Sequence, residues 1–189
     1  MSDYTLRAAM GADAERMVGV TTEGFETYRE FAPPDWSPPS ADEELERLRE
    51  LLPDPDVWYV VAEHEGDVIG HVGFLPATRS RWGADDASLA HFRQLFVARA
   101  HWGSGLARML HRAAIAEATA RGFSAMRLFT PAGQARARRF YEREGWAVTK
   151  SGAPGLNGLE IVEYRRPLLP LATPVARGAS PRPPPPRGR

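Results

Sequence analysis

Cysteine is absent from the 189-residue chain. That removes disulfides, a thiolate nucleophile, a cysteine zinc site and a thiol redox switch together. No run of about 18 apolar residues is present to span a bilayer, and the opening Met1-Ser2-Asp3-Tyr4-Thr5-Leu6-Arg7 lacks the apolar stretch of a signal peptide. A cytoplasmic location is therefore expected. Lysine is almost missing: Lys150 is the only one among 24 basic residues, so any single arginine is weak evidence of a role. Net charge is missing as well, with 24 acids balancing the bases, but the balance is uneven. All the acids lie at or before Glu163, while Arg177, Arg182, Arg187 and Arg189 follow, which leaves 20 bases against 24 acids in residues 1–167. A body of that sign is not a nucleic-acid binder by charge.

What is present is the composition of one ordinary globular domain, 43% hydrophobic and 25% charged. A chain of this size buries roughly 70% of the surface its unfolded form exposes, so it can hold a core without staples. From Leu168 onward the sequence turns Pro-rich and ends Pro181-Arg182-Pro183-Pro184-Pro185-Pro186-Arg187-Gly188-Arg189. Polyproline neither pairs in a sheet nor continues a helix. Residues 168–189 are expected to be a disordered tail, with docking to a proline-recognising module or an anionic surface as the other reading. The fold is set at residues 1–167.

Apolar periodicity in that body switches repeatedly between two and about 3.6 residues, the pattern of mixed α and β structure. A short strand at 5–8 precedes a helix that Asp13 can cap, with Ala14, Met17, Val18, Thr21 and Phe25 on one face. Ser40-Ala41-Asp42-Glu43 has capping-box spacing ahead of Leu45, Leu48, Leu51 and Leu52, and Pro53 stops that helix. A hairpin of strands 57–63 and 68–74 follows, then a strand at 92–97. A helix with Leu106, Met109, Leu110 and Ala113 on one face should end at Arg121-Gly122. A strand at 125–130, a helix at 134–144 and strands at 147–150 and 159–165 complete the body. There is no internal repeat.

The sharpest motif is strand, loop, glycines, helix: Leu95-Phe96-Val97-Ala98-Arg99-Ala100-His101-Trp102-Gly103-Ser104-Gly105-Leu106-Ala107. It sets unpaired backbone N–H groups and the positive end of a helix dipole beside a sheet, where a phosphate can dock. A Gly-X-Gly alone is more often a structural turn than a ligand loop. It is not a P-loop, because Leu106-Ala107 follows the glycines with no lysine near. Nor is it a dinucleotide fingerprint, because a hairpin precedes its strand.

On these residues the chain resembles the GNAT N-acetyltransferase superfamily. The family's acyl-CoA loop, Gln/Arg-x-x-Gly-x-Gly/Ala, falls on Trp102-Gly103-Ser104-Gly105-Leu106-Ala107 after the strand ending at Val97. Its second pattern falls on Gln134, Ala137, Phe140, Tyr141, Gly145 and Trp146. Trp102 and Gln134 depart from the usual Gln/Arg and Asn. The resemblance implies an α/β fold with a mixed central sheet, splayed at two parallel strands and flanked by helices. It implies acetyl-CoA as cosubstrate and no metal. Phe96 and Val97 would offer main-chain N–H groups to the thioester carbonyl, and Ser104 to Ala107 would hold the pyrophosphate, with Trp102, Gly103 and Gln134 beside them.

The same resemblance makes Tyr141 the general acid for the departing thiolate and sets His91, or else Glu63, as the base that neutralises the amine. Arg99, Arg108, Arg138 and Arg139 are candidates for the outer phosphates, though in so arginine-rich a chain solvated surface is the better explanation of any one of them. Phe25, Tyr28, Phe31 and Trp36, with Arg29 and Glu30 among them, would roof the acceptor cleft, completed by Trp58, His71 and the link 152–158. The expected activity is transfer of an acetyl group to a primary amine of a small molecule or a peptide terminus by direct attack in a ternary complex. The competing class is a noncatalytic acyl-CoA-binding or sensing module, and dimerisation through the last strands stays open.

Overall fold

A computed structural model describes residues 4–168. The Pro/Arg-rich segment from residue 169 lies outside the described residues. Leu168, which the composition assigned to the tail, is buried, and its N–H donates to the Ser124 carbonyl at 2.8 Å.

Seven strands form one sheet: β1 (Thr5–Ala8), β2 (Trp58–His64), β3 (Asp67–Pro76), β4 (Leu89–Val97), β5 (Ala125–Pro131), β6 (Ala147–Pro154) and β7 (Glu160–Pro167). Their order is β1-β2-β3-β4-β5-β7-β6, and β4 with β5 is the one parallel pair among the described residues. Helices α1 (Ala14–Glu26), α2 (Ala41–Leu51), α3 (Leu106–Ala120) and α4 (Ala135–Arg143) cover it. Alternation along β2 divides the core between the two faces of the sheet. Tyr59 and Val61 pack with Met17, Val18 and Leu48 of α1 and α2, while Val60 and Ala62 pack with Leu106, Leu110 and Ala114 of α3. Both hairpin strands are therefore mostly buried, as their apolar runs predict.

Local chemistry sets the helix ends. Ser40 accepts the Glu43 N–H at 3.4 Å, the expected cap of α2. At the end of α3 Gly122 takes φ +84°, and the Phe123 N–H reaches the Ala118 carbonyl at 3.1 Å, which closes the helix as a Schellman turn. Asp13 does not cap α1. Its carboxylate accepts instead from Arg7 at 2.7 and 2.8 Å and from the Met10 N–H at 2.7 Å, because the chain enters α1 through a short 3-10 turn at Gly11–Asp13. The last hairpin is longer than expected, with β6 continuing through Gly152 to Pro154.

The feature that positions the site is the failure of β4 and β5 to stay paired. They bond in register only at Leu89↔Ala125, Ala90↔Met126 and His91↔Arg127. Beyond His91, β4 carries a bulge, where its register on β3 jumps between His71↔Phe96 and Gly73↔Arg93 and Gln94 takes φ +56°. A bulge bends and twists its strand, and here β4 leaves β5 while β5 stays on β7 as far as Pro131. The sheet opens into a wedge.

Candidate active site

Two clefts meet in that wedge. The larger, about 550 Å³, lies between the end of β4, the start of α3 and α4. The smaller, about 230 Å³, opens between α2, the segment after β3 and the end of β5. Tyr28, Gln94, Phe96, Phe129 and Tyr141 border both and form the partition between them.

The glycine loop stands at the mouth of the larger cleft. Gly103 and Gly105 adopt φ +81° and +91°, and a Cβ at either would meet no protein atom within 4 Å. Such a loop leaves room for an anion against the main chain. The N–H groups of Gly105, Ala107 and Arg108 find no acceptor among the described residues, whereas the Met109 N–H already bonds Gly105. Ser104 is turned into the loop: its hydroxyl donates to the His101 carbonyl at 2.8 Å and receives the Leu106 N–H at 3.3 Å. These free amides at a helix start are the donor set a diphosphate needs.

Trp102 takes a structural place. Its indole N–H donates to the Val97 carbonyl at 2.7 Å, and the Arg136 guanidinium lies over the ring at 3.5 Å. The larger cleft is lined by Phe96, Val97, Trp102, Gly103, Gly105, Leu106, Ala107, Gln134 and Tyr141. Ser104 supports the loop from behind.

The arginines sort differently from expectation. Arg138 is spent inside the fold on the Tyr164 hydroxyl at 3.0 Å and the Ala132 carbonyl at 3.1 Å, and Arg139 does not line the cleft. Arg108 lines it while paired with Glu144 at 2.7 Å. Arg136 and Arg143 also line it, and nothing in the residue pattern singles them out among so many arginines.

Tyr141 is 8% exposed, its ring held edge-on against Phe140 and Trp146 at centroid distances of 5.5 and 5.9 Å. Its hydroxyl has no partner among the described residues, and burial pushes its pKa above the ordinary phenol value. It stays protonated at working pH.

His91 lines the smaller cleft, but burial, followed by the charges of Arg127, Arg93 and Arg81, pushes its pKa down to about 3. The near-neutral value expected of a free histidine is lost, and the ring stays uncharged. Glu63 is separated from the site altogether: it pairs with Arg7 at 2.7 Å beside β1 and lines neither cleft. Its place near the edge of the sheet, three strands from β5, corrects the expectation that it could serve as base.

Of the residues expected to roof an acceptor cleft, Phe25 and Tyr28 line the smaller cleft, and Leu156 reaches it from the last link. Phe31 and Trp36 instead pack with Tyr28 and Leu159. Trp58 stacks on Phe74, and His71 is fully buried with its Nε2 3.2 Å from the Thr21 hydroxyl, so neither reaches the cleft. The residues that the sequence did not disclose are Glu44, Gln94 and Arg93. The Tyr59 hydroxyl donates to the Gln94 amide oxygen at 2.8 Å, the Gln94 amide donates to Glu44 Oε1, and Arg93 donates to the same oxygen at 3.0 Å.

A mixed sheet split at its single parallel pair, with a glycine turn and helix start at the split, defines an acyltransferase fold. The chain belongs to the acetyltransferase (GNAT) family, whose pattern matches residues 22–146. It is 31% identical over 106 residues to the uncharacterized N-acetyltransferase YjgM of Escherichia coli K12, a match that covers 56% of this chain and 60% of that relative's length. Among solved structures it is similar to a GNAT-family acetyltransferase of Staphylococcus aureus Mu50, with TM-score 0.70 and 14% identity, covering 88% of this chain and 100% of that one. It is also similar to the PaiA N-acetyltransferase of Thermoplasma acidophilum in complex with coenzyme A, with TM-score 0.65 and 16% identity, covering 85% and 98%. At these identities the structures establish the fold. No helix among the described residues is long and apolar enough to cross a membrane.

Proposed function

We propose that the protein transfers an acetyl group from acetyl-CoA to the primary amine of a small acceptor by direct attack in a ternary complex. The observation that carries this reading is the shared partition. Tyr141, Gln94 and Phe96 face a cleft with phosphate-holding amides on one side and a smaller cleft on the other.

The chain's own groups supply each requirement. The free amides of Gly105, Ala107 and Arg108 hold the diphosphate of coenzyme A. Main-chain N–H groups of β4 past the bulge, at Phe96 or Val97, polarise the thioester carbonyl and stabilise the charge that develops on its oxygen. The neutral amine nitrogen forms the new C–N bond as the C–S bond breaks, Tyr141 passes its hydroxyl proton to the leaving sulfur, and the proton that the nitrogen sheds in becoming an amide restores the phenol. A phenol raised by burial is a weaker acid, but the thiolate leaves in the same dry cleft, where its own proton affinity rises by the same cause.

The amine must lose a proton before attack. With its pKa near 3, His91 is mismatched to an ammonium by several units. Glu44 is the one carboxylate lining the acceptor cleft among the described residues, and we assign it to hold the ammonium in place while water carries the proton away. A thiol-release assay with acetyl-CoA and an amine panel tests the reading, and the cysteine-free chain adds no background. Binding of acetyl-CoA without release in the presence of any amine would instead favour a sensing module.

A further inference from the structure

The acceptor cleft holds more positive charge than its own carboxylates neutralise. Four arginines line it: Arg47 on α2, Arg79 and Arg81 after β3, and Arg93 on β4. Arg79 is paired with Asp54 and Asp56, and Arg93 with Glu44. Arg47 and Arg81, exposed at the mouth, make no ion pair among the described residues. Arg81 rests over the Trp82 ring at 4.6 Å, and the partial desolvation of its guanidinium there, followed by repulsion from Arg47 and Arg93, disfavours its charge.

Composition does not explain this grouping, because the body as a whole has more acids than bases. Like charges gathered without a counter-ion stand at a cost that an arriving anion would relieve. Guanidinium groups match the planar or tetrahedral oxygens of carboxylates and phosphonates.

The rest of the cleft orders what would follow such an anion inward. Leu51, Leu75, Trp82 and Phe129 give it apolar walls. Glu44 uses Oε1 for both Arg93 and Gln94, which leaves Oε2 without a partner among the described residues. Gln94 lies on the partition beside Tyr141. The cleft therefore combines unpaired cations at its exposed mouth, apolar walls and a half-buried carboxylate oxygen next to a partition residue.

We propose that the acceptor is a small amine that also bears an acid group, an α-amino acid or its phosphonate analogue. Arg47 and Arg81 hold the acid, and Glu44 Oε2 leads the ammonium to the partition. The proposal rests on the acetyl-transfer reading of the same site and narrows it. A cavity of about 230 Å³ admits a molecule of amino-acid size. A peptide terminus carries an amide where this cleft asks for an anion.

The test is thiol release from acetyl-CoA with the proteinogenic amino acids, their carboxamides, the matching decarboxylated amines, 1-aminoalkylphosphonates and short peptides. Acids should exceed their amides and decarboxylated partners in kcat/KM by ~100-fold, and the phosphonate arm separates the two oxyanions. Arg47→Gln and Arg81→Gln should each reduce that ratio about tenfold with the melting temperature nearly unchanged, since neither side chain makes a hydrogen bond or ion pair among the described residues and a glutamine in place of Arg81 can still pack on Trp82. Amides, plain amines or peptides turned over as well as the acids would overturn the proposal and leave acetyl transfer standing. So would a ratio untouched by both variants. No turnover with any amine, while acetyl-CoA still binds, would overturn the transfer reading and this one with it.

Discussion

Tyr141 is the residue on which chemistry and packing can be told apart. Tyr141→Phe keeps the ring against Phe140 and Trp146 and removes only the hydroxyl, which has no partner among the described residues. The expected result is a fall in kcat of ~100-fold or more with the acetyl-CoA Kd within about twofold, read by steady-state kinetics and calorimetry. Unchanged turnover would return Tyr141 to the core. Gly105 tests the loop in the same way. Its φ of +91° disfavours any L side chain, and the Cβ of Gly105→Val enters open cleft. Acetyl-CoA affinity should drop at least about tenfold, and calorimetry showing wild-type affinity would remove the loop from the site.

Much of this scale was legible in the sequence because motif spacing places Gly103, Gly105 and Tyr141 without knowledge of their neighbours. Glu44 and Gln94 were not. Glu44 reads as one more acid in the first turn of an amphipathic helix, and only the pairing of β4 with β3 brings Gln94 to it.

At the scale of elements, the contact between α1 and β4 decides how the partition stands. Gly24 lies on α1, where a glycine costs about 1 kcal/mol against alanine. A Cβ there would lie 2.4 Å from Phe96 Cδ1, so the helix can approach the strand only without one. Gly24→Ala should therefore destabilise the fold by about 1–3 kcal/mol despite its better helix propensity, and weaken acetyl-CoA binding as Phe96 shifts. A stabilised variant with wild-type affinity, by urea titration and calorimetry, would show that the ring moves aside freely. Strands and helices were readable from periodicity because Met17, Val18, Leu48 and Leu110 repeat at the right spacings. The bulge at Gln94 and the early start of β4 at Leu89 were not, since each depends on the partner strand rather than on local pattern.

At the scale of the whole molecule, three buried histidines tie stability to pH. His71 and His91 are lowered to about 3 and His111 to about 4, each chiefly by burial. His111 accepts the Trp146 indole N–H on Nε2 at 2.9 Å, a bond only its neutral form can make. All three titrate lower in the folded than in the unfolded chain, so below pH 6.5 the unfolded chain binds more protons. Stability is then full above about pH 7 and falls as pH drops toward 4. Each histidine contributes about 2 kcal/mol of loss between pH 6.5 and 5, and together they approach the whole stability of a typical domain. Melting temperatures measured from pH 8 to 5 should be level and then decline steeply, and a flat profile to pH 5 would contradict the burial of these rings. The partition that splits the wedge has a corollary for inhibition. Only a few side chains, Tyr28, Gln94, Phe96, Phe129 and Tyr141, border both clefts, so one molecule can reach from one into the other. A single conjugate, with coenzyme A sulfur joined through a short acyl bridge to the acceptor nitrogen, would occupy both rooms at once and inhibit far more tightly than either half alone.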